Sequence, residues 1–258
     1  NLGDVTKNEK GQLLIPVDLA AAQMTESVQV KTLLNGVVIE DKVYTVRKYA
    51  EYILAGNYDA DTKALVKEML NYGAKAQQYF NCNTDDLANS GYEIQPAGQI
   101  PSEALSSVKD GSVEGVTYYG ASLLYENKIT VRFYFIVDGN IDDYTFSAGD
   151  PVMKSNMYYV DIPGINPQDY DKNVTVTVTK GTETLCITYS PMHYITRMYN
   201  RETTDGSLKS LLEAMYGYHI VACTYLNSQN WENDDALKIL AIGNSFSTDG
   251  MAYVYQIA

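Results

Sequence analysis

The stretch VTVTVTKGTETLCITY (174–189) contains the pattern that decides the fold. Its first half alternates valine with threonine, so Val174, Val176 and Val178 share one face of a predicted strand. Lys180-Gly181 separates this run from a second strand-like run and predicts a tight hairpin turn. The stretch therefore predicts two antiparallel strands with one apolar face.

Two further stretches show the same alternation of side chains. In KITVRFYFIVDG (128–139), Val131, Phe133 and Phe135 alternate with more polar residues, and NMYYVDIPG (156–164) adds another strand-like run. Short turns rich in Asp, Gly and Asn lie between these runs. This spacing is typical of an antiparallel sheet and favours a small sandwich.

The hairpin and the residues after it occur twice in the chain. NGVVIEDKVYTVRKYAEYI (35–53) aligns with KGTETLCITYSPMHYITRM (180–198) at an offset of 145 residues. LVKEMLNYGAKAQQYFN (65–81) aligns with LLEAMYGYHIVACTYLN (211–227) at an offset of 146 residues. A nearly constant offset indicates a duplicated unit of strand hairpin, helix, turn and helix.

Helical spacing follows the first hairpin. Val46, Ala50 and Ile53 recur on one face of a predicted helix, and Gly56 predicts its end. Asp59 or Asp61 then predicts the N-cap of a second helix. Apolar helix faces of this kind are more typical of a packed core than of a cofactor site.

The chain is therefore predicted to be α+β. We expect a duplicated unit of antiparallel β-sandwich strands followed by a helical hairpin, with a short C-terminal βα segment. Copy A covers 1–83, with an incomplete β part and a helical hairpin at about 45–81, and 84–112 is a linker. Copy B covers 113–230, with a helical hairpin at about 190–227, and 231–258 is a linker and the start of a further domain.

Charge and composition exclude some partners. The chain has 19 basic and 32 acidic residues and a net charge of −13, whereas nucleic acids and anionic membranes select basic surfaces. No apolar run is long enough to insert through a bilayer. Cys82, Cys186 and Cys223 fit no zinc spacing and are interpreted as buried free thiols.

The repeated stretches resemble a module found in large secreted or cell-wall proteins of gut Firmicutes. The resemblance is carried by YTVRKYAEYILAGNYDADTKALVKEMLNYGAKAQQYF (44–80), YFIVDGNIDDYTF (134–146), YYVDIPGI (158–165) and VTVTKGTETLCITYS (176–190), and it covers most of 13–227. It implies a protein that is secreted or attached to the surface of a Gram-positive bacterium. Such modules are appended to many different proteins, and no catalytic residues accompany them.

The last stretch, LKILAIGNSFSTDGMAYVYQIA (237–258), resembles the opening of an SGNH/GDSL-type hydrolase domain. The resemblance implies that Ser245 is the nucleophile of acyl-ester hydrolysis and that Gly243 and Asn244 contribute to the oxyanion site. Asn244 stands where the family more often has Asp. The resemblance places the catalytic His near the end of a complete domain, whereas this chain has only His193 and His219, both within the repeats. The fragment is therefore expected to be inactive without the remainder of the domain, in cis or as a separate chain.

Two weaker candidate sites remain. Carboxylates cluster at 57–63 and 138–146, where calcium is an alternative to ordinary turns, and no other cofactor is expected. Tyr119, Tyr158 and Trp231 are candidate sugar-binding residues. In the pairs Tyr118-Tyr119 and Tyr158-Tyr159, one ring must point inward because neighbouring strand residues face opposite ways.

Three functions remain open from the sequence. The first is a non-catalytic accessory, binding or spacer region that adjoins an SGNH-type esterase. The second is a fragment of a serine esterase that hydrolyses carbohydrate or lipid acyl esters with Ser245 as its nucleophile. The third is an adhesin that binds a host glycan or a host or cell-surface protein.

Overall fold

The computed structural model describes residues 6–7, 13–94, 98–103, 105–125 and 129–228. Within these ranges the chain is α+β, with antiparallel strands and four α-helices, which confirms the predicted class. The chain forms two compact units. Unit 1 consists of Asn1–Gln99 and Gly206–Ala258, and unit 2 consists of Ile100–Asp205.

The strands and helices are numbered in chain order. The strands are β1 (Thr6–Lys7), β2 (Leu13–Leu14), β3 (Val28–Leu34), β4 (Val37–Tyr44), β5 (Val108–Ser112), β6 (Val116–Tyr125), β7 (Ile129–Val137), β8 (Thr145–Phe146), β9 (Val152–Lys154), β10 (Met157–Ile165), β11 (Val174–Lys180) and β12 (Glu183–Tyr189). The helices are α1 (Val46–Ala55), α2 (Ala60–Phe80), α3 (Pro191–Tyr199) and α4 (Gly206–Ser228). The order hairpin, helix, helix thus occurs twice, at β3–α2 and at β11–α4.

Unit 1 is built around two long helices that lie far apart in sequence. The side chain of Asp59 caps α2 by accepting a hydrogen bond from the backbone N–H of Thr62, as predicted for one of its two candidate caps. Tyr72 of α2 and Tyr218 of α4 are both buried, and their rings stack with centroids 6.1 Å apart. Buried side chains of α2 and α4 therefore form a core between these two helices.

A buried glutamine joins α2 to the segment that follows it. Gln77 has no exposed surface, and its amide nitrogen donates hydrogen bonds to the Thr25 hydroxyl and to the carbonyls of Asn83 and Asp86. Its amide oxygen accepts a hydrogen bond from the backbone N–H of Ala88 at 2.8 Å. Every polar atom of this buried side chain is therefore satisfied, and the segment after α2 is fixed to unit 1.

The hairpin β3–β4 forms a separate two-stranded sheet in unit 1. Most of its side chains are exposed on both faces. Its exposed large apolar residues are Leu33, Leu34, Val37, Val38, Ile39 and Val43. Within the described part of the chain this hairpin therefore buries little apolar area, and a two-stranded sheet of this kind is marginally stable by itself.

Unit 2 contains two four-stranded antiparallel sheets, ordered β6-β7-β10-β9 and β5-β12-β11-β8. Phe135 of β7 contacts Phe146 of β8 edge to face at 5.3 Å, so the sheets face each other in a sandwich-like arrangement. The inward residues of β7 and of the hairpin β11–β12 are fully buried, as their alternation predicted: Val131, Phe133, Phe135, Val176, Val178, Leu185 and Ile187.

The turn of the second hairpin differs from its prediction by one residue. Lys180 still pairs with Glu183, so the central turn residues are Gly181 and Thr182 rather than Lys180 and Gly181. Gly181 has a φ of +59°, a left-handed conformation that glycine adopts without a steric penalty. The first central position of the turn therefore falls on the glycine, the residue that adopts this conformation most readily.

The cysteines also differ from their interpretation. All three thiols are free, but Cys82, Cys186 and Cys223 are half-buried rather than buried. Cys186 lies on β12 between the buried residues Leu185 and Ile187, so alternation places it on the opposite face of the strand.

Candidate functional site

A cavity of about 280 Å³ opens in unit 2 at the edge strand β6. Residues from β6, β7, the end of β12 and α3 surround it: Tyr119, Gly120, Ala121, Ser122, Tyr134, Tyr189, Tyr194, Arg197 and Met198. Four of these nine residues are tyrosines and one is an arginine. The lining therefore combines aromatic faces with a small number of hydrogen-bonding groups, which is typical of small-molecule sites.

A bulge in β6 shapes the mouth of the cavity. Tyr118 pairs with Phe135 and Gly120 pairs with Tyr134, so Tyr119 is an extra residue without a cross-strand partner. Tyr119 is 66% exposed and forms the rim. Gly120 leaves open space where a side chain would stand, since an added Cβ has no neighbour within 4 Å. The bulge and the glycine together leave the Tyr134 side of the sheet accessible.

A buried hydroxyl belongs to the wall of the cavity. Tyr189 is 2% exposed, and its hydroxyl has no hydrogen-bond partner among the described residues. Burial raises the pKa of this phenol above its ordinary value, with Tyr118 raising it further and Arg197 lowering it. Tyr189 therefore remains neutral, and because its hydroxyl is itself buried, it closes the cavity wall without offering a hydrogen bond to a ligand.

Arg197 provides the charge of the site. It lies in the last turn of α3, where a cation interacts favourably with the helix dipole, and its side chain is exposed. Within the ranges that the structure describes, Arg197 forms no ion pair. Its guanidinium is therefore available to a ligand.

A second arginine holds the neighbouring sheet face in place. Arg132 binds both carboxylate oxygens of Asp161, at 2.7 Å each, and stacks 3.6 Å from the centre of the Tyr159 ring. The Tyr159 ring lies 6.4 Å from that of Tyr134, and the Ser122 hydroxyl donates to the Tyr134 hydroxyl at 3.4 Å. These contacts restrict the Tyr134 ring, which preorganises this side of the cavity.

The structure brings only one of the candidate sugar-binding residues from the sequence to the cavity. Tyr119 lines the cavity, but Tyr158 pairs with buried Phe135 and so lies on the opposite face of the sheet from Tyr159 and Tyr134. Trp231, Gly243, Asn244 and Ser245 lie outside the described residues. In the pair Tyr118-Tyr119, one ring faces inward, since Tyr118 contacts Phe133 and Phe135 while Tyr119 is exposed.

Of the nine lining residues, sequence reasoning found only Tyr119 and missed the other eight, which include Tyr134, Tyr189, Tyr194 and Arg197. In the alignment of the repeats, Tyr189 and Tyr194 match Tyr44 and Tyr49, which indicates duplication rather than a site. Their meeting with β6 depends on the packing of α3 against that strand. The sequence does hold one signal for this site. Tyr189 ends a strand, and Tyr194 and Arg197 follow on the next helix.

A serine–histidine pair lies at the start of α3. The Ser190 hydroxyl is 2.6 Å from Nδ1 of His193 and also accepts the backbone N–H of His193 at 3.4 Å, which makes it the N-cap of the helix. Ser190 is 1% exposed and His193 is 8% exposed. Because a substrate cannot reach a hydroxyl buried to this extent, the pair is structural.

His193 predicts a dependence of stability on pH. Burial lowers the pKa of His193 in the folded state, partly opposed by a backbone hydrogen bond with Ser106. The unfolded chain therefore binds the proton more readily, and stability falls as the pH decreases through about 6.5. We expect thermal unfolding between pH 7.5 and 5.5 to show this slope, and a His193→Asn variant to reduce it. His219→Gln is the control, and a slope that persists in His193→Asn contradicts the assignment.

Among the described residues, no group of three or more His, Cys, Asp or Glu side chains is arranged to hold a metal ion. Side chains of the two acidic stretches take part in local hydrogen bonds. The Asn140 side chain accepts the backbone N–H of Asp142, the Tyr144 hydroxyl donates toward the carbonyl oxygens of Glu114 and Asp138, and Asp59 caps α2.

No helix in the described ranges has the length and apolarity needed to cross a membrane.

Comparison of the chain with protein-family models, with curated proteins and with solved structures found no match. The functional conclusion therefore depends on the cavity in unit 2 and on the sequence patterns described above.

Proposed function

We propose that the chain is a non-catalytic accessory region in which unit 2 binds a carbohydrate. The observation that carries this proposal is the tyrosine-lined cavity at β6, where Arg197 contributes a guanidinium that forms no ion pair within the described residues.

Sugar chemistry fits this lining. A pyranose ring has apolar C–H faces that pack on aromatic rings and equatorial hydroxyls that need donors and acceptors at the rim. Tyrosine supplies both in one side chain, because its ring is apolar and its hydroxyl is polar. The volume of about 280 Å³ is at the small end of ligand sites, which fits one sugar ring better than an extended peptide.

The rest of the proposal is supported by the sequence. The two alignments, at offsets of 145 and 146 residues, support a duplicated unit, and the order hairpin, helix, helix occurs at both places. The resemblance to modules of secreted or cell-surface proteins of Gram-positive gut bacteria supports an extracellular role. The Gly243-Asn244-Ser245 motif supports an adjoining SGNH-type esterase, whose position on a glycan the accessory region would determine.

Binding by a panel of monosaccharides tests the proposal. We expect saturable binding in isothermal titration and a loss of affinity of at least about tenfold in Tyr134→Ala, because this change removes a restrained ring from the cavity. Tyr119→Ala removes the exposed rim and should weaken binding less.

Tyr52→Ala is the matched control, because Tyr52 is a half-exposed tyrosine of α1 in unit 1. Equal affinities in Tyr134→Ala, Tyr52→Ala and the unchanged chain would show that the cavity is not the binding site. If no saccharide binds, the proposal that unit 2 binds a carbohydrate is wrong.

A further inference from the structure

We propose that the cavity selects sugars that carry a carboxylate, and that Arg197 binds that carboxylate. This inference rests on the carbohydrate-binding function proposed above and names the class of sugar. Its ligands are hexuronic acids or sialic acids, which share one carboxylate on a sugar ring.

The first observation is an arginine without a partner in an acidic protein. The chain has 32 acidic and 19 basic residues, so carboxylates are abundant, yet within the described ranges Arg197 pairs with none of them. Its backbone position in the last turn of α3 is favourable for a cation, but that interaction leaves the five donors of the guanidinium unoccupied.

The second observation is a contrast between the two arginines near the cavity. Arg132 is satisfied, since Asp161 binds it through both oxygens and Tyr159 stacks on it. Arg197, which lines the cavity, has the same fork of donors and no such partner among the residues that the structure describes. A planar carboxylate matches this fork bidentately, as Asp161 does for Arg132.

The third observation is that the described lining of the cavity contains one cation and no anion. Arg197 is the one charged residue of this lining, beside the tyrosines Tyr189 and Tyr194. One cation balances one negative charge. The net charge of −13 disfavours a doubly charged phosphate, because the rest of the protein repels it.

The experiment is a titration of the full chain with five pyranose monosaccharides. Glucuronate and galacturonate represent hexuronic acids, N-acetylneuraminate represents sialic acids, and glucose and glucose 6-sulfate are a neutral and a sulfated arm. We expect at least one carboxylated sugar to bind about ten- to a hundredfold more tightly than glucose, with an affinity that falls as salt increases. The class that binds more tightly, hexuronic acids or sialic acids, is then the natural class of ligand.

Variants of two arginines separate ligand recognition from general charge. Arg197→Gln should reduce the ratio of carboxylated to neutral affinity to about one, and Arg197→Lys should restore it only in part, because lysine lacks the fork. Arg201→Gln is the matched control, because it removes the same charge just after α3 from a residue whose guanidinium bonds to Thr203. Arg201→Gln should leave the ratio unchanged.

The outcomes distinguish this inference from the function on which it rests. If glucose binds as tightly as the carboxylated sugars, or if the sulfated sugar binds best, carboxylate selection is wrong while carbohydrate binding stands. If the ratio is unchanged in Arg197→Gln, Arg197 is not the carboxylate ligand. If none of the five sugars binds, the proposed carbohydrate function fails.

Discussion

Phe133→Ala is expected to lower the free energy of unfolding of unit 2 by about 3–5 kcal/mol. Phe133 has no exposed surface, and its ring lies 6.5 Å from that of Tyr118 and 6.2 Å from that of Tyr189. Truncation leaves a space between the two sheets that these large rings cannot fill by small shifts, so both the transfer energy and a cavity energy are lost.

Chemical denaturation followed by circular dichroism measures this loss, and hydrogen exchange of the β6 and β7 amides assigns it to unit 2. Ile136→Ala is the control, because Ile136 lies on the same strand, faces outward and is 39% exposed. Its cost should be below about 1 kcal/mol. Equal costs for the two variants would contradict the position of the core between the sheets.

Gln77→Leu is expected to destabilise unit 1 by about 2–3 kcal/mol, although leucine is similar in size and more apolar. The variant leaves the buried Ala88 N–H without its acceptor and the Asp86 carbonyl without the Gln77 donor, whereas the Asn83 carbonyl still accepts the backbone N–H of Asp86. A buried N–H that loses its partner costs about 1–3 kcal/mol, and the carbonyl of the exposed residue Asp86 costs less.

The neighbouring glutamine provides a matched control. Gln78 is exposed, and within the described residues its side chain accepts one hydrogen bond, from Lys75 at 3.2 Å. Gln78→Leu should therefore change stability by less than about 0.5 kcal/mol. Hydrogen exchange should show lost protection after α2 only in Gln77→Leu, and protection that survives there would contradict the role of Gln77.

Local features of the fold could be predicted because local spacing determines them. The alternation in 128–139 and 174–189 predicted strands whose inward residues are now seen to be buried. Asp59 was predicted as a helix cap because its short side chain can reach the first backbone N–H groups. Such predictions need only the spacing of apolar residues along the chain and the distance that one side chain can span.

The association of α2 with α4 could not be predicted in the same way. Each helix has an apolar face, but the spacing of its apolar residues does not identify the distant helix that packs against that face. The same limit applies to the site. Tyr119 was a candidate because it stands beside Tyr118, whereas Tyr134, Tyr189 and Arg197 meet only after β6 bulges and α3 packs beside it.

The central claim is that the cavity at β6 binds sugar, and nuclear magnetic resonance of the isotope-labelled chain tests it most directly. Addition of glucuronate should shift the amide and ring resonances of Tyr119–Ser122, Tyr134 and Tyr194–Met198 in a saturable manner. The resonances of α2 and of the hairpin β3–β4 should stay in place. Saturable shifts confined to unit 1, or no shift in the cavity with any of the five sugars, would contradict the account.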